Sequence, residues 1–326
     1  MSSNVGTPRY RDCMTSGPAL DALILDATQR AVLDAGAESH LSVVGAPGSG
    51  KTTTLVELLA ERVLRDGLAT TEVLALTPDR RSAARLREVI GERLAVSTPG
   101  AMARTPESVA FEIVRADRAR QGMQAPQLFT GADEDTILAE LIQSDLEARA
   151  VEGPEQLNAT PIDWAPPVTL EAIGLRGFRA EIRDLLAAMS EYDVTPERLE
   201  ELAHLRPVWS GAAALARQFR ESVAQAKPNA FDTPGIVLEA VSIVHSATRL
   251  DSFSRLKLLL VDDVHEFTES GRRLLVAFAL RGVRVVSFGD PDITTGGFRG
   301  SRPELAVDWR GETRGALEEP RRLVLG

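Results

Sequence analysis

One octapeptide constrains this chain more than any other stretch: Gly45-Ala46-Pro47-Gly48-Ser49-Gly50-Lys51-Thr52. A short run, Leu41-Ser42-Val43-Val44, precedes it, and an amphipathic stretch reaching about Arg65 follows. The first reads by length and composition as a buried parallel strand, the second as a helix. The spacing of glycines, lysine and hydroxyl matches the phosphate-binding loop, whose required context is a strand before and a helix after. Glycines let the backbone wrap closely around an anion with successive N–H groups pointing inward, and the helix start adds its positive dipole end. On this reading Gly45, Ala46, Pro47, Gly48, Ser49 and Gly50 form the cradle and Thr53 follows in the first helical turn. Lys51 would reach the β- and γ-phosphates, and Thr52 would offer a hydroxyl to Mg2+. The alternative is a glycine-rich strand-to-helix turn with no ligand. It requires a chance match in a chain with only three lysines, Lys51, Lys227 and Lys257.

The pattern around the loop repeats. Apolar positions recur at helical spacing from Ala19 to Ala35; a strand is expected at Val73–Leu76 and a helix from about Ser82 to Leu94. Strand-like runs resume at Leu256–Val261 and Val283–Phe288. Strands alternating with helices imply an α/β fold with a parallel sheet. Between them, residues 117–250 are rich in Ala, Leu, Glu and Arg, with helical periodicity in 135–150, 170–190, 196–206, 211–226 and 235–247. The loop 158–168 interrupts that series. The expected organisation is a disordered tail (1–17), a parallel-sheet domain assembled from 18–116 and 251–326, and an all-helical insertion domain (117–250).

A phosphate loop needs an acid at the end of a neighbouring apolar strand, and Leu258-Leu259-Leu260-Val261-Asp262-Asp263 fits. Asp262 is the expected magnesium partner, and Asp263 is placed to polarise an attacking water; two helix-capping acids are the plainer alternative. The net charge of −10 argues against a surface coated with phosphate-binding charge, although a basic groove is a local property. No apolar run approaches the ~20 residues of a membrane span, and the first residues lack the apolar stretch of a secretory signal. Cys13 is the single cysteine, which excludes an internal disulfide and any multi-thiolate metal site. A cytoplasmic chain with no membrane contact is expected. The four histidines, His40, His204, His245 and His265, show no metal-ligand spacing on one helix.

With these motifs in order, the sequence resembles the UvrD/Rep-like helicases of superfamily one. More narrowly, it resembles the N-terminal motor region of actinobacterial helicase–nuclease subunits of the AdnA kind. The resemblance covers nearly the whole chain after the tail, and implies a RecA-like ATP-binding domain that uses Mg2+ and moves on single-stranded DNA. Leu25-Asp26-Ala27-Thr28-Gln29-Arg30 is similar to the family's adenine-reading segment, a role falling to Gln29. The stretch from Val73 to Ala84 is similar to a segment that contacts single-stranded DNA, which implicates Thr77, Arg80 and Arg81; Arg85 is equally well a solvated residue. Arg104-Thr105-Pro106-Glu107-Ser108 occupies the place of another strand-contacting motif. Gly289-Asp290-Pro291-Asp292, followed by Gly297-Phe298-Arg299-Gly300, is similar to the family's sensor motif. Phe298 there would stack on a base beside Arg299, or else serve as an ordinary core phenylalanine.

Four departures bear on chemistry. Asp263 replaces the usual glutamate, which withdraws the carboxylate by roughly 1.5 Å. His265 and Ile293 each replace a glutamine, and Gly296 replaces a tyrosine. Isoleucine has no polar side-chain atom with which to sense a γ-phosphate. These departures leave two readings: a weakened motor, or a non-catalytic nucleotide- and DNA-binding subunit of a helicase–nuclease complex. Glu318–Gly326 is similar to the strand that leads into the family's second RecA-like domain, so the resemblance implies an N-terminal segment of a larger engine. Arg176, Arg179 and Arg183 recur along one helical face, as a DNA-facing stripe or a solvated surface, and Trp164 and Trp209 are expected as packing anchors.

Overall fold

The computed structural model describes residues 24–35, 39–96, 98, 100–150, 161–247, 250, 252–293 and 301–326. Helix α1 (Ala27–Asp34) leads into β1 (Leu41–Val44), α2 (Lys51–Leu64), β2 (Val73–Leu76), α3 (Arg80–Leu94), β3 (Ala103–Arg104) and α4 (Pro106–Arg120). A helical stretch follows: β4 (Gln127–Leu128), α5 (Gly131–Ala150), α6 (Leu170–Ile173), α7 (Arg176–Glu191), α8 (Pro196–Glu201), α9 (Val208–Ala226), β5 (Ala230–Phe231) and α10 (Thr233–Ser246). The chain returns through β6 (Leu258–Val261), α11 (Glu269–Leu280), β7 (Arg284–Gly289) and β8 (Arg321–Val324).

Six strands form one sheet in the order β3-β2-β6-β7-β1-β8, and every pairing is parallel. Parallel strands need crossovers that cover both faces, so the strands read as continuous apolar runs without polar alternation. β2, β6 and β7 are buried at every position. Successive side chains point to opposite faces: Leu258 and Leu260 join the core beneath α2 and α3, while Leu259 and Val261 join the core beneath α4, α10 and α11. Distant pieces of sequence thus share each layer. Among the described residues no helix is long and apolar enough to cross a membrane.

The helices from α5 to α9 bury separate, smaller clusters, one around Leu138, Ile182 and Leu215 and one around Met189, Leu199 and Ala213. Helix α10 does not join them; its Ile236, Val237 and Ala240 pack in the large core with Val109 and Ala110 of α4. The chain enters and leaves the α5–α9 bundle through a parallel two-strand clasp, where Gln127 N–H donates to Asn229 O at 2.9 Å and Phe129 N–H to Phe231 O at 2.8 Å. Lys227 reinforces the clasp by pairing with Asp133 and lying 5.5 Å from the Phe129 ring centroid.

Several element ends differ from the sequence reading, each for a local reason. Helix α3 starts two residues early because the Asp79 carboxylate accepts the Arg81 and Ser82 N–H groups. The single helix expected over 170–190 breaks at Gly174 and Leu175, with Gly174 as the C-cap of α6. The two-residue strands carry too few side chains to show a period. Residues Ala19–Leu23, part of the loop 158–168, and the tail lie outside the described residues.

Candidate functional site

The loop after β1 adopts the geometry its glycines foreshadow. Gly48 has φ 83° and Gly50 has φ 82°, conformations that a side chain disfavours. Gly50 ends the loop in the left-handed region and α2 starts at Lys51. A Cβ at Gly50 would also collide with the Gln29 amide nitrogen. The structure therefore brings Gln29 to the rim of the loop. Its other amide atom accepts from Asp26 N–H at 3.0 Å, closing a reciprocal cap on α1.

The Lys51 ammonium donates to Gly45 O at 2.6 Å and Ala46 O at 2.9 Å, so it is folded onto the carbonyls of its own loop. Thr52 Oγ1 donates to Asp262 Oδ2 at 3.0 Å. That bond joins the start of α2 to the end of β6. The strand expected as a neighbour of β1 is one place removed, because β7 lies between β1 and β6. Thr52 projects from the helix start and spans the interval, which two strand spacings put at about 10 Å.

Asp262 is 6% exposed. Burial, and next the charge of Asp263, push its carboxyl up to about 7, while the Thr52 hydrogen bond and the Lys51 charge pull the other way. Asp263 sits at φ 49°, ψ 47°, a left-handed conformation that is costly for a residue with a Cβ. Both acids, with Lys51 and the glycine loop, belong to one end of the sheet: the carboxyl ends of parallel strands. A cavity of about 410 Å3 opens there, lined by Gly48, Lys51, Thr52, Asp263, His265 and Asp290 among others.

Two further residues were present in the sequence motifs without a role. His265 is buried, and its Nδ1 accepts from Asp290 N–H at 3.2 Å, which leaves the proton on Nε2. Asp290, at the end of β7, is 4% exposed; its Oδ1 accepts from Asp292 N–H, and its buried Oδ2 has no hydrogen-bond partner. The Ser49 hydroxyl is likewise buried and unpartnered. Of these two unpartnered groups Asp290 lines the cavity, where a polar ligand could satisfy its free oxygen. Among the described residues no three His, Cys, Asp or Glu side chains converge to hold a metal. A divalent ion would therefore take Thr52 and Asp262 together with ligand oxygens and water, as magnesium does. Ile293 lines the same cavity and offers it only hydrocarbon.

The expected strand-contacting residues divide. Arg80 lines a second cavity of about 450 Å3, beside Arg87, Arg104, Ser108, Phe111 and Leu128. Arg81 and Arg85 are exposed outside it. Thr77 is fully buried, and its hydroxyl donates to Asp79 O at 3.1 Å, so it shapes the β2–α3 turn. Arg104 is committed to Glu112 and to Ser108 O. Arg179 pairs with Asp135 at 3.6 Å, tying α7 to α5. Trp164 packs edge-on to Phe178 at 5.1 Å, as an anchor should. Gly296, Phe298 and Arg299 lie outside the described residues.

A parallel sheet with a glycine cradle at the end of one strand and a buried carboxylate two strands away is the architecture of the P-loop α/β proteins. Residues 25–312 match the UvrD/REP helicase N-terminal domain, and the chain belongs to that family. It is similar to the ATP-dependent DNA helicase Rep of Salmonella typhimurium (strain LT2), with 23% identity over 269 residues. That alignment covers 81% of this chain and 36% of the relative, so the chain spans little more than a third of that protein's length.

Proposed function

We propose that the chain is the ATP-binding motor segment of a UvrD/Rep-like DNA helicase, coupling ATP hydrolysis to movement on single-stranded DNA in repair or recombination. The observation that carries this reading is the Thr52–Asp262 bond, which closes a phosphate cradle against an acidic strand end across β7. Bound Mg·ATP supplies the scissile phosphoanhydride and a charge that the site must neutralise. The N–H groups around Gly48 and Gly50 would face its phosphates, and Lys51 would exchange the carbonyls of Gly45 and Ala46 for β- and γ-oxygens. Thr52 and Asp262 would hold the metal, Asp262 through its ionised carboxylate. Asp263 would orient the attacking water, with the His265 Nε2–H as a donor beside it. Gln29, already against the loop, would read the adenine.

The unit carrying these residues is RecA-like in this reading. The helical insertion is better bounded by the β4–β5 clasp than by residues 117 and 250, since α4 and α10 share the motor's core. The second cavity, with Arg80 at its rim and Arg81 exposed nearby, would take the DNA strand. Cytoplasmic location and a partner helicase–nuclease subunit of the AdnA kind complete the proposal.

A second reading, a nucleotide- and DNA-binding subunit that does not turn over, is favoured by Ile293 in the cavity and by the short Asp263 in its strained conformation. Titration with a Mg·ATP analogue and ATPase assays with and without single-stranded DNA decide. Lys51→Ala should cost nucleotide affinity on the order of 100-fold; wild-type binding indifferent to it sinks both readings. Joint replacement of Asp263→Glu and Ile293→Gln should raise turnover by ~10-fold or more in a weakened motor. No gain favours the non-catalytic subunit.

A further inference from the structure

The α5–α9 bundle keeps its own small cores, yet one of its carboxylates is buried in the motor. Glu191, the last residue of α7, is 8% exposed. One oxygen accepts from the backbone N–H of Ser270 and the other from the Ser270 hydroxyl at 3.0 Å. Ser270 lies in the first turn of α11, where backbone donors have no partner within the helix. The residue that should cap this helix, Thr268, makes no side-chain capping bond; its hydroxyl instead lies 3.2 Å from the Ser270 hydroxyl. The cap of α11 is thus supplied from the other unit.

Two local rules are broken to put it there. A carboxylate in the last turn of α7 opposes that helix's dipole, while the same charge complements the N-terminus of α11. Two residues on, Asp193 sits at φ 58° and Val194 N–H returns to Met189 O at 2.7 Å, a tight stop usually made by glycine. Asp193 also faces α11, with Arg273 at 3.7 Å. Paired departures from local preference at one contact are what a functional constraint leaves behind.

The first turn of α11 is directly tied to the nucleotide site. Asp263, Val264 and His265 are followed by Glu266 and by Phe267, which is 2% exposed and fixed in the core. Phe267 N–H bonds Val264 O at 3.1 Å, and Glu266 N–H bonds Asp263 O at 2.9 Å, so little slack separates the acid from the helix. On the same turn, Glu269 holds Arg302 at 2.7 Å, from the segment that follows β7 and the sensor motif.

We propose that Glu191 is a positioning residue: by capping α11 from the helical bundle, it fixes the Asp263–Phe267 segment and makes nucleotide turnover depend on where the bundle sits. The inference rests on the nucleotide-site reading above. The test uses the full chain, with hydrogen exchange resolved by residue and steady-state ATPase; a wild type that binds nucleotide without turning it over overturns the coupling to turnover. Glu191→Ala should speed exchange across residues 264–270 by ~10-fold or more, with the amides of β1 and β6 unchanged. It should lower kcat by ~5-fold while KM stays within ~2-fold, the mark of an effect on positioning and not on binding. Glu191→Gln keeps one acceptor oxygen and should fall between. Ile182→Ala, which weakens the bundle core, controls for instability and should leave residues 264–270 protected. Unchanged exchange in Glu191→Ala overturns the inference, as does acceleration spread evenly over the chain or equally present in Ile182→Ala. So does local acceleration with kcat unaltered. A wild type that binds no nucleotide refutes the reading of the site itself, while the exchange result still decides whether Glu191 caps the segment.

Discussion

The sheet and the α5–α9 bundle solve the same burial problem differently. The sheet's central strands are buried on both faces, and each face belongs to a large core that draws on α2, α3, α4, α10 and α11. The bundle folds around two small clusters, and part of its adhesion to the motor is polar, through Glu191 and Asp193. A two-sided core holds strand ends rigidly, as a phosphate cradle and its acid require. A small core joined through a two-strand clasp and a capping carboxylate can shift as a unit at less cost.

Matched truncations test this division most severely. Leu260→Ala, in β6, should cost ~3–5 kcal/mol and melt the sheet together with nucleotide binding. Leu215→Ala, equally buried in α9, should lose less, ~2–3 kcal/mol, with the damage confined to the bundle. Nucleotide affinity, and hydrogen exchange read separately for β1 and α9, compare the two; equal global melting in both variants would erase the distinction.

A smaller effect should appear at Asp262. Its carboxyl is pushed up to about 7 in the fold, from a value near 4 in the unfolded chain. The fold therefore holds that proton more tightly, and the contribution is fully favourable below the unfolded value. It is lost as pH rises through about 7, where the buried carboxylate must ionise. Asp262→Asn should then be more stable than wild type at pH 8, by on the order of 2 kcal/mol, with the gap narrowing toward pH 5. Thermal melts at the two pH values check it; a constant gap would show that Asp262 does not carry the titration. The variant should also lose metal-dependent nucleotide binding, as expected of a site that gives up stability for function.

The smallest change concerns the bundle's contact residue. Asp193→Gly relieves a left-handed conformation and should add ~0.5 kcal/mol of stability. The pair with Arg273 that it removes is long, at 3.7 Å, and its Asp193 end is exposed, so it contributes little. Denaturant melts with exchange at Ser270 check this; a loss of protection there would mean that Asp193 does more than end α7.

Much of the motor was legible because its signals are local. Glycines at Gly48 and Gly50 declare their backbone angles, and the apolar runs at β1, β2 and β6 declare burial on two faces. The bundle was legible only as helical periodicity: Gly174 split one expected helix, and Asp79 lengthened another by a cap that hydropathy does not register. Thr77 was implicated only through the resemblance, and its hydroxyl is turned inward onto Asp79 O by the β2–α3 turn, a contact no pattern announces.

By itself the sequence determined the cradle, the acidic strand end, the parallel sheet and the family, since each is written in residues adjacent or periodic along the chain. Tertiary structure alone decided that β7 separates β1 from β6, that α10 packs in the large core with α4, that Gln29 abuts Gly50, and that Glu191 caps α11. These are contacts between distant segments. Their free energy comes from burial and from satisfying buried donors, and a periodic pattern says which face is buried without saying against what.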